Sequence, residues 1–235
     1  ALHAHAQPPE GWSLMLGNGS DELISLLAMA CDVPGAAIVA PLPGFVMYGM
    51  SAQLQGLAFH GVPLAAGFEL DEPAMLAAIG QHRPAILYLA YPNNPTANLW
   101  DAGVIARLID AQGAQGGLAV IDEAYQPFAA HSWMGRVRAE PARHAHVLVM
   151  RTLSKFGLAG VRLGYMLGAA RLIGEIDKVR PPYNVSVLNA ECALFALEHE
   201  AVFAAQAQDI RAQRASLLEA LAKCLACTPT PAKAT

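Results

Sequence analysis

Five short, mainly apolar runs constrain the fold of this chain more than any other feature: residues 36–40, 57–62, 85–90, 118–121 and 147–150, interrupted only at His60 and Gly61. None shows the apolar/polar alternation of a strand with one wet face, so each predicts a strand covered on both sides, as in a parallel sheet. Helical segments lie between them. A segment over 21–30 follows Ser20 as a candidate cap. Asp71 precedes a helix containing residues 73–79, and Asp101 precedes one that runs through 109. A sixth strand is expected over 164–167. Its link to the preceding strand is too short for a helical crossover, so it need not run parallel. After Arg180-Pro181-Pro182 the character changes: residues 185 to about 222 are Ala- and Leu-rich with helical spacing, one long helix or two. The expected architecture is α/β, a mostly parallel, doubly wound sheet with helices on both faces. It fills a large domain over residues 1–180, and a helical bridge and the start of a truncated small domain follow over 181–235.

Composition narrows the function. With 54% hydrophobic and 14% charged residues the chain can bury a sizeable core, which argues against disorder. The net charge of −4, without a charge run, makes nucleic acid an unexpected partner. No apolar stretch reaches membrane-spanning length uninterrupted, and no secretory leader pattern opens the chain. Cys31, Cys192, Cys224 and Cys227 are scattered. A lone CxxC with no second pair is a weak metal or redox signal, so no metal is expected and a reducing, cytoplasmic setting fits best. Both ends read as cut: the chain opens inside what looks like a helix end, lacks an initiator Met, and stops after a Thr/Pro/Ala/Lys tail.

In open α/β sheets ligands bind beyond the C-terminal ends of the strands. Asn94, Asp122 and Lys155 all fall there. They belong to Tyr91-Pro92-Asn93-Asn94-Pro95-Thr96, Asp122-Glu123-Ala124-Tyr125 and Arg151-Thr152-Leu153-Ser154-Lys155-Phe156-Gly157. A lysine, a carboxylate, a phenol and an amide in such positions suit pyridoxal 5′-phosphate (PLP). The lysine can form a Schiff base with its aldehyde, and the carboxylate can pair with its pyridinium nitrogen. Alternatives exist for each: a solvated loop lysine, an aspartate capping a turn, an asparagine in a turn before Pro95. The apolar and glycine neighbours of Lys155 predict a partly desolvated amine. Tyr125, three residues after Asp122, can reach the same ligand edge.

A phosphate site is readable in two places. Gly17-Asn18-Gly19-Ser20-Asp21-Glu22 puts glycines directly before a helix N-terminus, which offers free N–H groups, or else these are a tight turn and an ordinary cap. Thr152 and Ser154 bring hydroxyls beside Lys155. Arg162 follows in Gly157-Leu158-Ala159-Gly160-Val161-Arg162 with a guanidinium fork, its alternative being a surface ion pair. Phe45, in Pro43-Gly44-Phe45-Val46-Met47-Tyr48, can stack on a planar ring or fill the core, and Tyr48 is equally ambiguous.

Together these segments resemble fold-type I PLP enzymes of the class I/II aminotransferase group, and within it the histidinol-phosphate branch. Leu163-Gly164-Tyr165 and Arg180-Pro181-Pro182-Tyr183-Asn184-Val185 extend the match, which runs in order to about residue 189. The resemblance implies that Lys155 carries PLP and moves the proton, Asp122 pairs with the pyridinium, and Asn94 and Tyr125 contact the ring O3′. It implies that Phe45 stacks on the ring. The phosphate would be held by the Ser20 and Asp21 N–H groups, Thr152, Ser154 and Arg162, and Tyr183 and Asn184 would lie on the substrate side. It further implies an amino donor and a 2-oxo acid as substrates, a homodimer, and a small domain largely missing here. The implied reaction is transamination between L-histidinol phosphate and 2-oxoglutarate. An aromatic aminotransferase, a threonine-phosphate-type decarboxylase, or a non-catalytic PLP-binding fragment are the other readings. Two departures stand out: Ala97 where the family has glycine, and a step of only seven residues from Lys155 to Arg162.

Overall fold

The computed structural model describes residues 1–224. Cys227 of the CxxC pair and the Thr/Pro/Ala/Lys tail lie outside the described residues. Seven strands form one sheet: β1 Trp12–Gly17, β2 Ala37–Leu42, β3 Ala58–Pro63, β4 Ile86–Ala90, β5 Leu118–Asp122, β6 Val147–Thr152 and β7 Gly164–Ala169. The α-helices are α1 Leu2–Ala6, α2 Ser20–Ala30, α3 Met47–Gln55, α4 Glu72–His82, α5 Ala102–Ala114, α6 Met134–Ala139, α7 Ala170–Ile176, α8 Val187–Glu198 and α9 Glu200–Ala222. The spatial order is β1-β7-β6-β5-β4-β2-β3. Strands β2 to β6 are mutually parallel, and β7 pairs antiparallel with both β6 and β1, so one strand runs against six.

All five apolar runs are strands, and their alternate residues serve two cores. Val120, Leu148 and Met150 pack on one face with Leu23, Ile24 and Leu27 of α2 and Ile173 of α7. Ile121, Val147 and Val149 point the other way, against Ile79 of α4, Ile105 and Leu108 of α5, and Trp133 and Val137 beside and in α6. Both faces are dry over the inner stretches of β2, β4, β5 and β6, where a polar substitution costs about 1.5–3 kcal/mol of burial. Strand β3 lies at the sheet edge, half-exposed and carrying His60, so the expectation of a strand covered on both sides fails there. The sixth expected strand is β7, and its short link does make it antiparallel. The segment after residue 185 is two helices, broken at His199.

Asp71 and Asp101 cap as expected: the Asp71 carboxylate accepts from the Ala74 N–H, and that of Asp101 from the N–H groups of Gly103 and Val104. Ser20 does not. The cap position of α2 is Gly19, at φ +87°, and Ser20 is the first helical residue with no side-chain cap bond. A backbone at that φ suits glycine over serine. Strand β1 was not foreseen. It is an edge strand whose residues mix buried and half-buried positions without a clean period, so neither strand signature is present. Among the described residues no helix is long and apolar enough to cross a membrane.

Candidate active site

The C-terminal ends of β1, β2, β4, β5 and β6 face one side of the sheet, and the start of reversed β7 joins them. A cleft of about 180 Å³ opens there, lined by Ser20, Asp21, Phe45, Asn94, Asp122, Tyr125, Thr152, Ser154, Lys155 and Arg162, with Tyr48, Ala90, Pro92 and Ala124. The ten residues expected at a cofactor are thus brought together from segments spread over more than 140 positions.

Asp122 forms the floor. It ends β5 and is only 4% exposed. Its Oδ2 accepts from the Tyr48 hydroxyl at 2.7 Å, and its Oδ1 from the Ala124 N–H at 3.0 Å. Burial raises its pKa to about 6; the Tyr48 and Ala124 donors pull the other way, and the Asp21 and Glu123 carboxylates add slightly to the rise. The site therefore holds a carboxylate at a cost that a cation seated on it would offset.

The floor is braced from behind. Glu123, whose side chain is fully buried, accepts from Arg151 Nε and Nη2 at 2.9 and 2.8 Å, and from the Trp133 N–H at 2.5 Å. Ser132 donates to the same carboxylate and accepts from Arg151. This network ties the end of β5 to the end of β6, so Asp122 and Thr152 keep their spacing. Asn93 does the same between neighbouring loops: its amide donates to the Pro43 carbonyl and to Thr96 Oγ1. The adjacent Asn94 side chain makes no hydrogen bond among the described residues, so its amide is free for a ligand. These brace residues gave no signal in the sequence, because apart from the Asn93–Thr96 contact their partners lie 9 to 50 positions away.

The rim is different. Lys155 sits on a 3-10 turn, Leu153–Phe156, that follows β6 directly. Contrary to the expectation of a desolvated amine, Lys155 is exposed, because Leu153 takes the inward position of the turn and Lys155 the outward one. Its Nζ stands 5.0 Å from the Tyr125 ring centroid. Thr152 Oγ1 accepts from the Ser154 N–H and lies within donating distance of Ser154 Oγ and the Leu163 carbonyl, which leaves the Ser154 proton for the cleft. Arg162, exposed and at φ +49°, reaches Asp21 Oδ2 at 3.3 Å. A side chain at Gly164 would collide with the Gly19 and Ser20 backbone at 2.7–2.9 Å, so that glycine lets β7 press against the N-terminus of α2. The result sets helix N–H groups, a guanidinium and a hydroxyl around one point, a natural anion seat.

Ala97 adopts φ +58°, the left-handed conformation that favours glycine, and is buried. The structure does not bring Tyr183 and Asn184 to the cleft lining. Tyr183 is 97% exposed at φ +60°, directed outward after two prolines. Asn184 donates to Glu22 Oε2 at 2.7 Å and accepts from Arg180, which holds it on α2 beside the cleft instead of in it.

A model of the family "Aminotransferase class I and II" matches residues 10–234. The chain is 73% identical over 221 residues to a histidinol-phosphate aminotransferase of Polaromonas naphthalenivorans (strain CJ2), and 71% identical over 225 residues to one of Paracidovorax citrulli (strain AAC00-1). It covers 60% and 61% of their lengths, while the matches cover 94% of this chain, so it spans about three fifths of these curated relatives. A solved histidinol-phosphate aminotransferase from Sinorhizobium meliloti, in complex with pyridoxal-5′-phosphate, superposes with a TM-score of 0.80 at 27% identity. That match covers 94% of this chain and 59% of that one. With its reversed β7, its strand-end cleft and a family match across nearly its whole length, the chain belongs to the aminotransferase class I and II family.

Proposed function

We propose that the whole protein is a PLP-dependent histidinol-phosphate aminotransferase, acting as a homodimer in the cytoplasm and moving an amino group between L-histidinol phosphate and 2-oxoglutarate. The observation that carries this reading is the convergence of ten side chains of matching chemistry on one cleft, in a chain more than 70% identical to relatives of that name. Residues 1–180 would be the cofactor-binding domain and 181–235 the passage toward a small domain.

The donor set fits the cofactor. A buried carboxylate with its own donors already placed suits a protonated ring nitrogen. An anion seat made of α2 N–H groups, Ser154 and Arg162 suits a phosphate, and an exposed amine between them suits an aldehyde. When bound, PLP supplies that aldehyde and a cationic ring able to delocalise charge from the substrate carbon.

The chain's own residues then have distinct tasks. Lys155 Nζ would hold the group covalently and move the proton at the substrate carbon; its exposed position leaves it room to swing between the two. Asp122 would keep the ring nitrogen protonated through its free lone pairs. The Asn94 amide and the Tyr125 hydroxyl would share the ring oxygen, and Phe45 would cover one ring face and exclude water. Thr152 acts through Ser154, which it orients. Asn184, fixed to Glu22 one residue from Asp21, supports placing the 183–184 segment on the substrate side.

An absorbance titration with PLP followed by L-histidinol phosphate tests the proposal. A bound-cofactor band that shifts on adding the substrate supports it. A band indifferent to histidinol phosphate but responsive to aromatic amino acids would replace the substrate, and no band would end the cofactor assignment.

A further inference from the structure

Tyr48 contributes more than core packing. It lies on α3, is 2% exposed, and donates its hydroxyl to Asp122 Oδ2 at 2.7 Å. The carboxylate, ionised, can only accept, so the phenol must be the donor. Burial and the facing carboxylate both push the phenol's ionisation well above its ordinary range, which keeps that proton in place. Three rings fix the geometry. Tyr48 stacks on Tyr88 at 4.2 Å and 5°, and Phe45 meets it edge-on at 5.6 Å and 85°.

Tyr88 supplies an internal comparison. It is equally buried and belongs to the same stack, yet its hydroxyl has no hydrogen-bond partner among the described residues. A tyrosine used only for packing therefore has an example beside it, and Tyr48 departs from that example by aiming its hydroxyl at a carboxylate. With the Ala124 N–H on Oδ1, each oxygen of Asp122 carries one protein donor, and the remaining lone pairs open to the cleft.

We propose that Tyr48 is a positioning residue for Asp122: its hydroxyl fixes the carboxylate's rotamer and holds it anionic, so that the free lone pairs meet the ring nitrogen of the cofactor. The inference rests on the PLP assignment. A hydrogen bond to the charged form makes a carboxylate less basic. Without it, the proton shared between Asp122 and the ring nitrogen moves toward the carboxylate, and the ring withdraws less charge. The other charged or titratable groups near Asp122 are Asp21 from α2, Glu123 beside it, Tyr88 from β4, and Lys155 and Arg162 across the cleft. Phe45 touches the same tyrosine, so the ring-stacking face and the carboxylate are set by one side chain.

The test compares Tyr48→Phe with Tyr88→Phe in the full-length holoenzyme, reconstituted with PLP labelled with ¹⁵N in its ring. In Tyr48→Phe the ring ¹⁵N resonance is expected to move toward the unprotonated position. The cofactor dissociation constant should rise about tenfold, the loss of one hydrogen bond to a charged group, and kcat should fall while KM changes little. Tyr88→Phe should move none of the three. A Tyr48→Phe resonance at the parent position, or an equal shift in Tyr88→Phe, overturns the proposal. A parent protein that binds no PLP instead removes the cofactor assignment. Should Tyr48→Phe not fold, the unmutated protein decides: on PLP binding the ¹³Cζ resonance of Tyr48 shifts and that of Tyr88 does not, and two unmoved resonances overturn it.

Discussion

The floor and the rim of the cleft are built by opposite means. The floor, Asp122, is buried, doubly hydrogen-bonded, and braced through Glu123 and Arg151. The rim, Lys155 and Arg162, is exposed and carried by a short turn and a left-handed residue. Under the proposed function the floor would present a fixed charge to the cofactor ring, a preorganisation that costs stability and gains affinity. Under the same proposal the lysine would attach, detach and carry a proton, which a locked side chain could not do.

Four perturbations would break or sharpen this contrast. Lys155→Ala should lower turnover by at least about 10³-fold, the scale of losing a positioned acid–base group, while leaving thermal unfolding unchanged, because a rim side chain carries no packing. A loss of stability would erase the distinction. Arg151→Ala should do the reverse, destabilising the protein by about 3–5 kcal/mol in denaturant unfolding, since it strands the buried Glu123 carboxylate.

Asp122→Asn separates the two roles of the floor. The folded pKa of Asp122 is raised to about 6 from 3.8, so the folded state holds the proton more tightly. Its contribution is fully present below pH 3.8 and is lost as pH rises through about 6. Cofactor-free Asp122→Asn should therefore be more stable than the parent at pH 7, by about 3 kcal/mol, and should lack the parent's decline between those pH values, while binding PLP more weakly. Denaturation curves at pH 4 and 7 would check it, and a variant less stable than the parent at pH 7 would show that the floor is not strained. The smallest effect is expected at Ala97→Gly, where relief of a left-handed alanine should gain at most about 1 kcal/mol.

Much of this was legible in the sequence. Strands β2, β4, β5 and β6 announced themselves because their inner residues enter a dry core on either face and had to be apolar, while edge strand β3 kept an apolar run although only Val62 of it is buried. The candidate residues Asn94, Asp122, Thr152, Ser154 and Lys155 were legible because they end or follow those strands. Strand β1 was not: at the sheet edge its burial pattern is broken. The Ser20 cap failed because a neighbouring glycine takes the cap conformation. The desolvated Lys155 failed because apolar neighbours in sequence turned away from it in space. Tyr48 stayed ambiguous because its partner lies 74 residues on, and no local pattern encodes so distant a contact.

The reversed strand also bears on how the molecule assembles. Lys155 and Arg162 lie within the link of one antiparallel pair, with Thr152 opposite Gly164, so the hairpin that carries them closes over a dozen residues, although Arg162 then reaches back to Asp21. The Tyr48–Asp122 bond joins β5 to α3 across the intervening β3, α4, β4 and α5. Local contacts form fast and distant ones slowly. Tyr48 and Asp122 precede Lys155 in the chain, yet their contact spans 74 residues while Thr152 and Gly164 pair across a short link, so when the whole chain refolds the lysine hairpin is expected to close before the carboxylate floor is set.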